Sequence, residues 1–83
     1  MKILYFSWVK QRIGHGVETV TLPPSVNRTG QLREWLLDRS PGHRAALADA
    51  EVLRVARNLT YCDWEEPIAD GDEIAFFPPV TGG

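Results

Sequence analysis

The best-placed reactive group is the carboxylate of Gly83, which follows Pro78-Pro79-Val80-Thr81-Gly82. Two consecutive residues without Cβ atoms let the walls of a narrow site close on the backbone. The two prolines hold φ near the polyproline value and lack an N–H. They therefore end a strand and stiffen the approach, which lowers the entropy lost on insertion. A frayed end is the simple alternative, since termini are mobile and glycine is common there. Joined to the prolines, the terminus reads as built for delivery: Pro78, Pro79, Val80, Thr81 and Gly82 are the insertion segment, and Gly83 is the reacting end.

Other candidates carry less. His15 and His43 fall in turn-like contexts without cysteine or carboxylate partners at metal-ligand spacing, so both are expected to be solvated. Asp70-Gly71-Asp72 and Glu73 form an acidic cluster that reads as turn chemistry and falls far short of a calcium loop. Cys62, the single cysteine, has no internal disulfide partner. Tyr61, Asp63 and Trp64 beside it offer no cation to stabilise a thiolate, so an inert structural thiol is expected. There is no Gly-rich phosphate loop and no serine nucleophile elbow. No bound metal is expected.

Positioning the terminus falls to the elements upstream. Residues 73–77 form a short apolar strand between the Asp-Gly-Asp turn and the prolines. Residues 2–9 read as a central strand, with Ile3, Tyr5 and Val9 on one face and Leu4, Phe6 and Trp8 on the other. Residues 10–16 read as a turn, and residues 17–22 as a second strand in a hairpin with the first. Thr29 is a plausible N-cap for a helix carrying Leu32, Trp35, Leu36 and Arg39 at helical spacing, which Ser40-Pro41-Gly42 interrupts. Residues 43–49 suit one or two further helical turns, residues 52–56 a strand, Asn58 a left-handed turn position, and residues 59–64 a short edge segment.

This order predicts an α+β fold: a mixed sheet with one main helix across it, residues 1–78 forming the domain and 79–83 an extended tail. Phe76 and Phe77 must point to opposite sheet faces, one under the helix and one outward. Trp35 is expected in the core, and Trp8 on the uncovered face near the last strand. A single helix leaves apolar surface on that face, which marks a protein partner, so Phe76, Phe77 and Trp8 are the interface candidates. A hydrophobic content of 43% and charged content of 24% suit one small globular domain. The net charge of −2 argues against nucleic acid as the main partner. No run is long and apolar enough to span a bilayer and no signal-peptide pattern is present, so the cytoplasm is the expected compartment.

The run Asp70 to Gly83, D-G-D-E-I-A-F-F-P-P-V-T-G-G, resembles the C-terminus of the small subunits of molybdopterin synthase, which are ubiquitin-like sulfur carriers. The resemblance extends more loosely over the whole chain. It implies a β-grasp fold and a chain that is a co-substrate rather than a self-sufficient catalyst. It further implies that Gly83 is adenylated with ATP by a ubiquitin-activating-like adenylyltransferase and then converted to a thiocarboxylate. The tail would enter the large subunit of molybdopterin synthase, in a heterotetramer, and deliver sulfur to a cyclic pyranopterin precursor. No permanently bound cofactor is implied. Arg57 departs from the family pattern, which is usually apolar there, and this bears on the packing of that strand end. Three alternatives stand beside this reading: a thiamine-pathway sulfur carrier, which generally lacks the Phe-Phe-Pro-Pro-Val-Thr approach; a protein modifier joined to lysines through Gly83; and an interaction module that ignores the tail.

Overall fold

The structure, a computed structural model, describes residues 1–79; Val80, Thr81, Gly82 and Gly83, with most of the expected tail, lie outside the described residues. Five strands make one mixed sheet: β1 (Lys2–Tyr5), β2 (Val17–Thr19), β3 (Arg54–Arg57), β4 (Thr60–Cys62) and β5 (Glu73–Phe77). Their spatial order is β2-β1-β5-β3-β4. β5 is central, parallel to β1 and antiparallel to β3, and β1 pairs antiparallel with β2. Among the described residues three α-helices accompany the sheet, α1 (Ser7–Ile13), α2 (Thr29–Leu36) and α3 (Pro41–Leu47), with one short 3-10 turn at Ala50–Val52. Val9 of α1, Leu32 and Leu36 of α2, and Leu47 of α3 close one core with Ile3, Tyr5, Val55, Ile74 and Phe76. This is the expected β-grasp layer, with three helices where one main helix was anticipated.

The largest correction is α1. Residues 2–9 do not run on as one strand: the chain turns at Ser7, at φ +55°, and residues 7–13 are helical. The β-favouring Trp8 and Val9 mask this change. The signal for it is Lys10-Gln11-Arg12, all good helix formers, followed by Gly14 as a C-cap at φ +103° whose N–H donates to the Lys10 carbonyl. The β1–β2 pairing holds, but α1 joins the strands instead of a tight turn. β2 ends at Thr19, short of the expected residue 22.

Thr29 is not the N-cap of α2. Arg28 occupies that position, while Thr29 is fully buried and its hydroxyl donates to the Asp63 carbonyl at 2.7 Å. Ser40 is a true N-cap, accepting from the His43 N–H, with Pro41 at the first helical position. Gly42 lets α3 sit directly on α1, since a Cβ there would lie 2.5 Å from the Arg12 carbonyl oxygen. Trp35 is half-buried against the core rather than enclosed, with Arg39 stacked 5.5 Å from its ring.

Candidate functional site

β5 runs through the middle of the sheet to Pro78 and Pro79. Phe76 pairs in register with Tyr5 on one side and Val55 on the other, so the strand leading to Pro78 and Pro79 is held on both edges. Its entry is fixed as firmly. The Asp72 carboxylate accepts from Arg57 Nε at 3.0 Å, Asn58 Nδ2 at 3.0 Å and the Ala69 N–H at 2.9 Å. Burial alone would raise the pKa of Asp72, but these donors outweigh it and hold the carboxyl below its usual range. Asp70 accepts from the Leu22 N–H at 3.0 Å. The Asp-Gly-Asp cluster is thus turn chemistry, as expected. Arg57, the family departure, closes this end of β3 with ion pairs to Asp72 and to Glu66, the latter at 3.2 Å.

The two phenylalanines separate as the strand period requires. Phe76 is fully buried and stacks on Tyr5 and Trp64, so it is a core residue and not available to a partner. Phe77 is half-buried on the other face, its ring 5.1 Å from that of the exposed Tyr61. Register places Val17, Leu4, Ala75, Phe77, Ala56 and Tyr61 on this face, together with Lys2, Thr19, Glu73 and Arg54 toward its ends; Ala56 is itself buried, and the helix residues of the core cluster lie on the other face. Trp8, expected here, lies instead on α1, half-buried against the core with Arg12 4.5 Å above its ring. Pro78 and Pro79 are half-buried at the strand exit.

Cys62 is half-buried on edge strand β4, its thiol 3.8 Å from the Val55 carbonyl. Burial, then the charges of Glu66 and Asp63, push its pKa up, which suits an inert thiol.

His43 overturns its expected solvation. It is buried in α3, with Nε2 2.7 Å from Glu18 Oε2 and Nδ1 2.7 Å from Ser40 Oγ. His15 is exposed, yet also reaches Glu18 Oε2, at 3.2 Å. Tyr5 donates its hydroxyl to the same oxygen at 2.8 Å, and Arg39 Nε meets Oε1 at 2.9 Å. Burial would raise the Glu18 pKa, but bonds from His43, Tyr5 and His15 bring it down to about 2. Sequence spacing hid this cluster, because its members come from β1, the turn before β2, β2 itself, the link between α2 and α3, and α3. The local hint was a glutamate on the strand face that Val20 and Leu22 otherwise make apolar.

A profile of the ThiS family matches residues 3–83, nearly the whole chain. The chain belongs to the ThiS family. The molybdopterin synthase sulfur carrier subunit of Escherichia coli is 38% identical over 84 residues, covering all of this chain and 99% of the relative. Among solved structures, SAMP1 from Haloferax volcanii superposes with a TM-score of 0.79 at 25% identity, covering 100% of this chain and 98% of that one. A chain of the protein–protein complex of subunits 1 and 2 of the molybdopterin-converting factor from Helicobacter pylori gives 0.67 at 26% identity, covering 99% of this chain and 96% of that one. The ubiquitin-like fold and the resemblance first carried by residues 70–83 are thereby shown for the full length. No helix among the described residues is long and apolar enough to cross a membrane.

Proposed function

We propose that this chain is the sulfur-carrier subunit of a molybdopterin synthase. The observation that carries the reading is the full-length likeness to a sulfur carrier subunit combined with a central β5 that ends at Pro78-Pro79, which the sequence follows with Val-Thr-Gly-Gly. The Gly83 carboxylate attacks the α-phosphorus of ATP in the activating enzyme, and pyrophosphate leaves. A carboxylate resists substitution, whereas the acyl adenylate has a good leaving group. A sulfur nucleophile then displaces AMP and leaves a thiocarboxylate. The tail enters the large subunit, within a heterotetramer, and hands sulfur to the cyclic pyranopterin precursor. This chain supplies no catalytic pocket; the large subunit does. The uncovered sheet face around Phe77 is the docking surface for that subunit, and its apolar character and half-buried aromatic fit an interface centre.

The test is intact mass after incubation with the activating enzyme, ATP and a sulfur donor. Wild type is expected to exchange one oxygen for sulfur. The chain lacking Gly83 is expected to fold normally and stay unloaded, and Cys62→Ser to load normally. Loading without Gly83, or its loss in a folded Cys62→Ser protein, defeats the proposal. Capture of a thiazole synthase, or of lysine-linked conjugates, in place of a pterin-binding large subunit selects the thiamine-pathway or modifier alternative.

A further inference from the structure

We propose that His15, Glu18 and His43 form a binding site for one divalent transition ion of the zinc type. One ring nitrogen from each histidine and one Glu18 carboxylate oxygen lie within 4.8 Å of one another. The two histidine–Glu18 separations are 2.7 and 3.2 Å. Tetrahedral zinc with bonds of about 2.0 Å holds its ligand atoms roughly 3.3 Å apart. The His15–Glu18 separation already matches, so a slight widening between His43 and Glu18 and a modest approach of the two imidazoles convert the hydrogen-bonded cluster into a coordination shell. Two imidazoles and one carboxylate suit zinc and its neighbours, not calcium or magnesium, which favour oxygen-rich sites.

The surroundings are arranged as outer partners of such a site are. Ser40 Oγ holds His43 Nδ1 at 2.7 Å, so Nδ1 can carry the proton and leave the Nε2 lone pair for the ion. Arg39 holds Glu18 Oε1, which leaves Oε2 as a single-oxygen ligand. Tyr5 donates to Oε2 and fixes the carboxylate plane. His15 is 47% exposed, which gives the ion an entry path and a fourth position for water. Binding exchanges two N–H···O bonds for three bonds to the ion, with each imidazole neutral, so affinity falls as the solution is acidified. The site ties β2, the turn before it and α3 together. Through Tyr5, stacked on Phe76, it also braces the strand that carries the tail.

The experiment titrates the metal-free full chain with zinc by calorimetry and with cobalt(II) by visible absorption. One ion per chain is expected, with cobalt d–d bands and no thiolate charge-transfer band. His15→Ala, at an exposed position, is expected to keep the fold and weaken zinc binding at least about tenfold; Cys62→Ser is expected to bind normally. Imidazole NMR of the wild type gives a reading that needs no variant: both histidine rings shift together and saturate at one equivalent. Absence of binding, unchanged affinity in His15→Ala, a thiolate band, or a shift of fewer than both rings overturns the proposal.

Discussion

Phe76 and Phe77 are adjacent in β5 and chemically identical, yet Phe76 is fully buried between Tyr5 and Trp64 while Phe77 is half-buried beside the exposed Tyr61. The inner face of the sheet is closed by α1, α2 and α3 and holds the Glu18 network; the outer face carries the partly exposed Leu4, Ala75 and Phe77, flanked by Lys2, Glu73 and Arg54. One face therefore stabilises the domain, and the other is left with apolar surface to bury elsewhere. If so, truncating the two rings must give very different results. Phe76→Ala is expected to cost about 3–5 kcal/mol, a large part of the stability of a small domain. Phe77→Ala should cost only about 1 kcal/mol in the free chain. Urea denaturation of both variants measures the contrast, and equal losses would make the outer face core.

The second prediction reverses the order. Phe77→Asp is expected to leave the free chain folded and weaken its complex with the large subunit by about tenfold to a hundredfold. Titration of that subunit with wild type and variant reads the effect. An unchanged dissociation constant would move the docking surface away from this face.

Much of this division was legible in the sequence. The strand period put Phe76 and Phe77 on opposite faces, and the Asp-Gly-Asp turn and Pro-Pro stop bounded β5. What was hidden has a common cause: choices made by tertiary contact rather than local pattern. Trp8 and Val9 favour a strand by type, but burying Val9 in the core and seating Gly42 of α3 on the Arg12 carbonyl require a helix there. His43 looked solvated because its partner Glu18 is twenty-five residues away. Thr29 looked like a cap because its acceptor, the Asp63 carbonyl, belongs to a loop the pattern could not place.

The largely enclosed Glu18 carboxylate gives the inner face a pH dependence in the acid range. Glu18 has its pKa lowered from the ordinary value of 4.5 to about 2 in the folded chain. A depressed carboxyl pKa stabilises the fold above the unfolded value, and that contribution is lost as pH falls through the folded value. Stability should therefore decline progressively from about pH 4.5 to about pH 2. In Glu18→Gln this part of the decline should be reduced, whereas in Phe77→Ala it should keep the wild-type shape. Urea midpoints measured across this range provide the check. A Glu18→Gln profile parallel to wild type would show that other carboxylates carry the acid sensitivity.

The smallest expected effect concerns the two-residue loop between β3 and β4. Asn58 and Leu59 have φ values of +49° and +70°, the pattern of a hairpin turn that favours Asn-Gly. Asn tolerates this region; leucine pays about 1 kcal/mol or more for it. Leu59 is also 87% exposed, so in the free chain its side chain returns little packing. Leu59→Gly removes the strain but frees the unfolded chain, which offsets roughly 0.5–1 kcal/mol. The net is a gain of at most about 1 kcal/mol, or a rise of a few degrees in Tm for a domain of this size. A lower Tm would mean that Leu59 packs in solution and that this end of the sheet is less open than its exposure implies. The same variant sharpens the contrast between the faces, because Leu59 adjoins β4 and its exposed Tyr61. A strained, exposed leucine is poorly suited to stabilising the free chain and better suited to contact with the large subunit. Leu59→Gly should then raise Tm while modestly weakening the complex, whereas truncating the enclosed Phe76 should lower Tm.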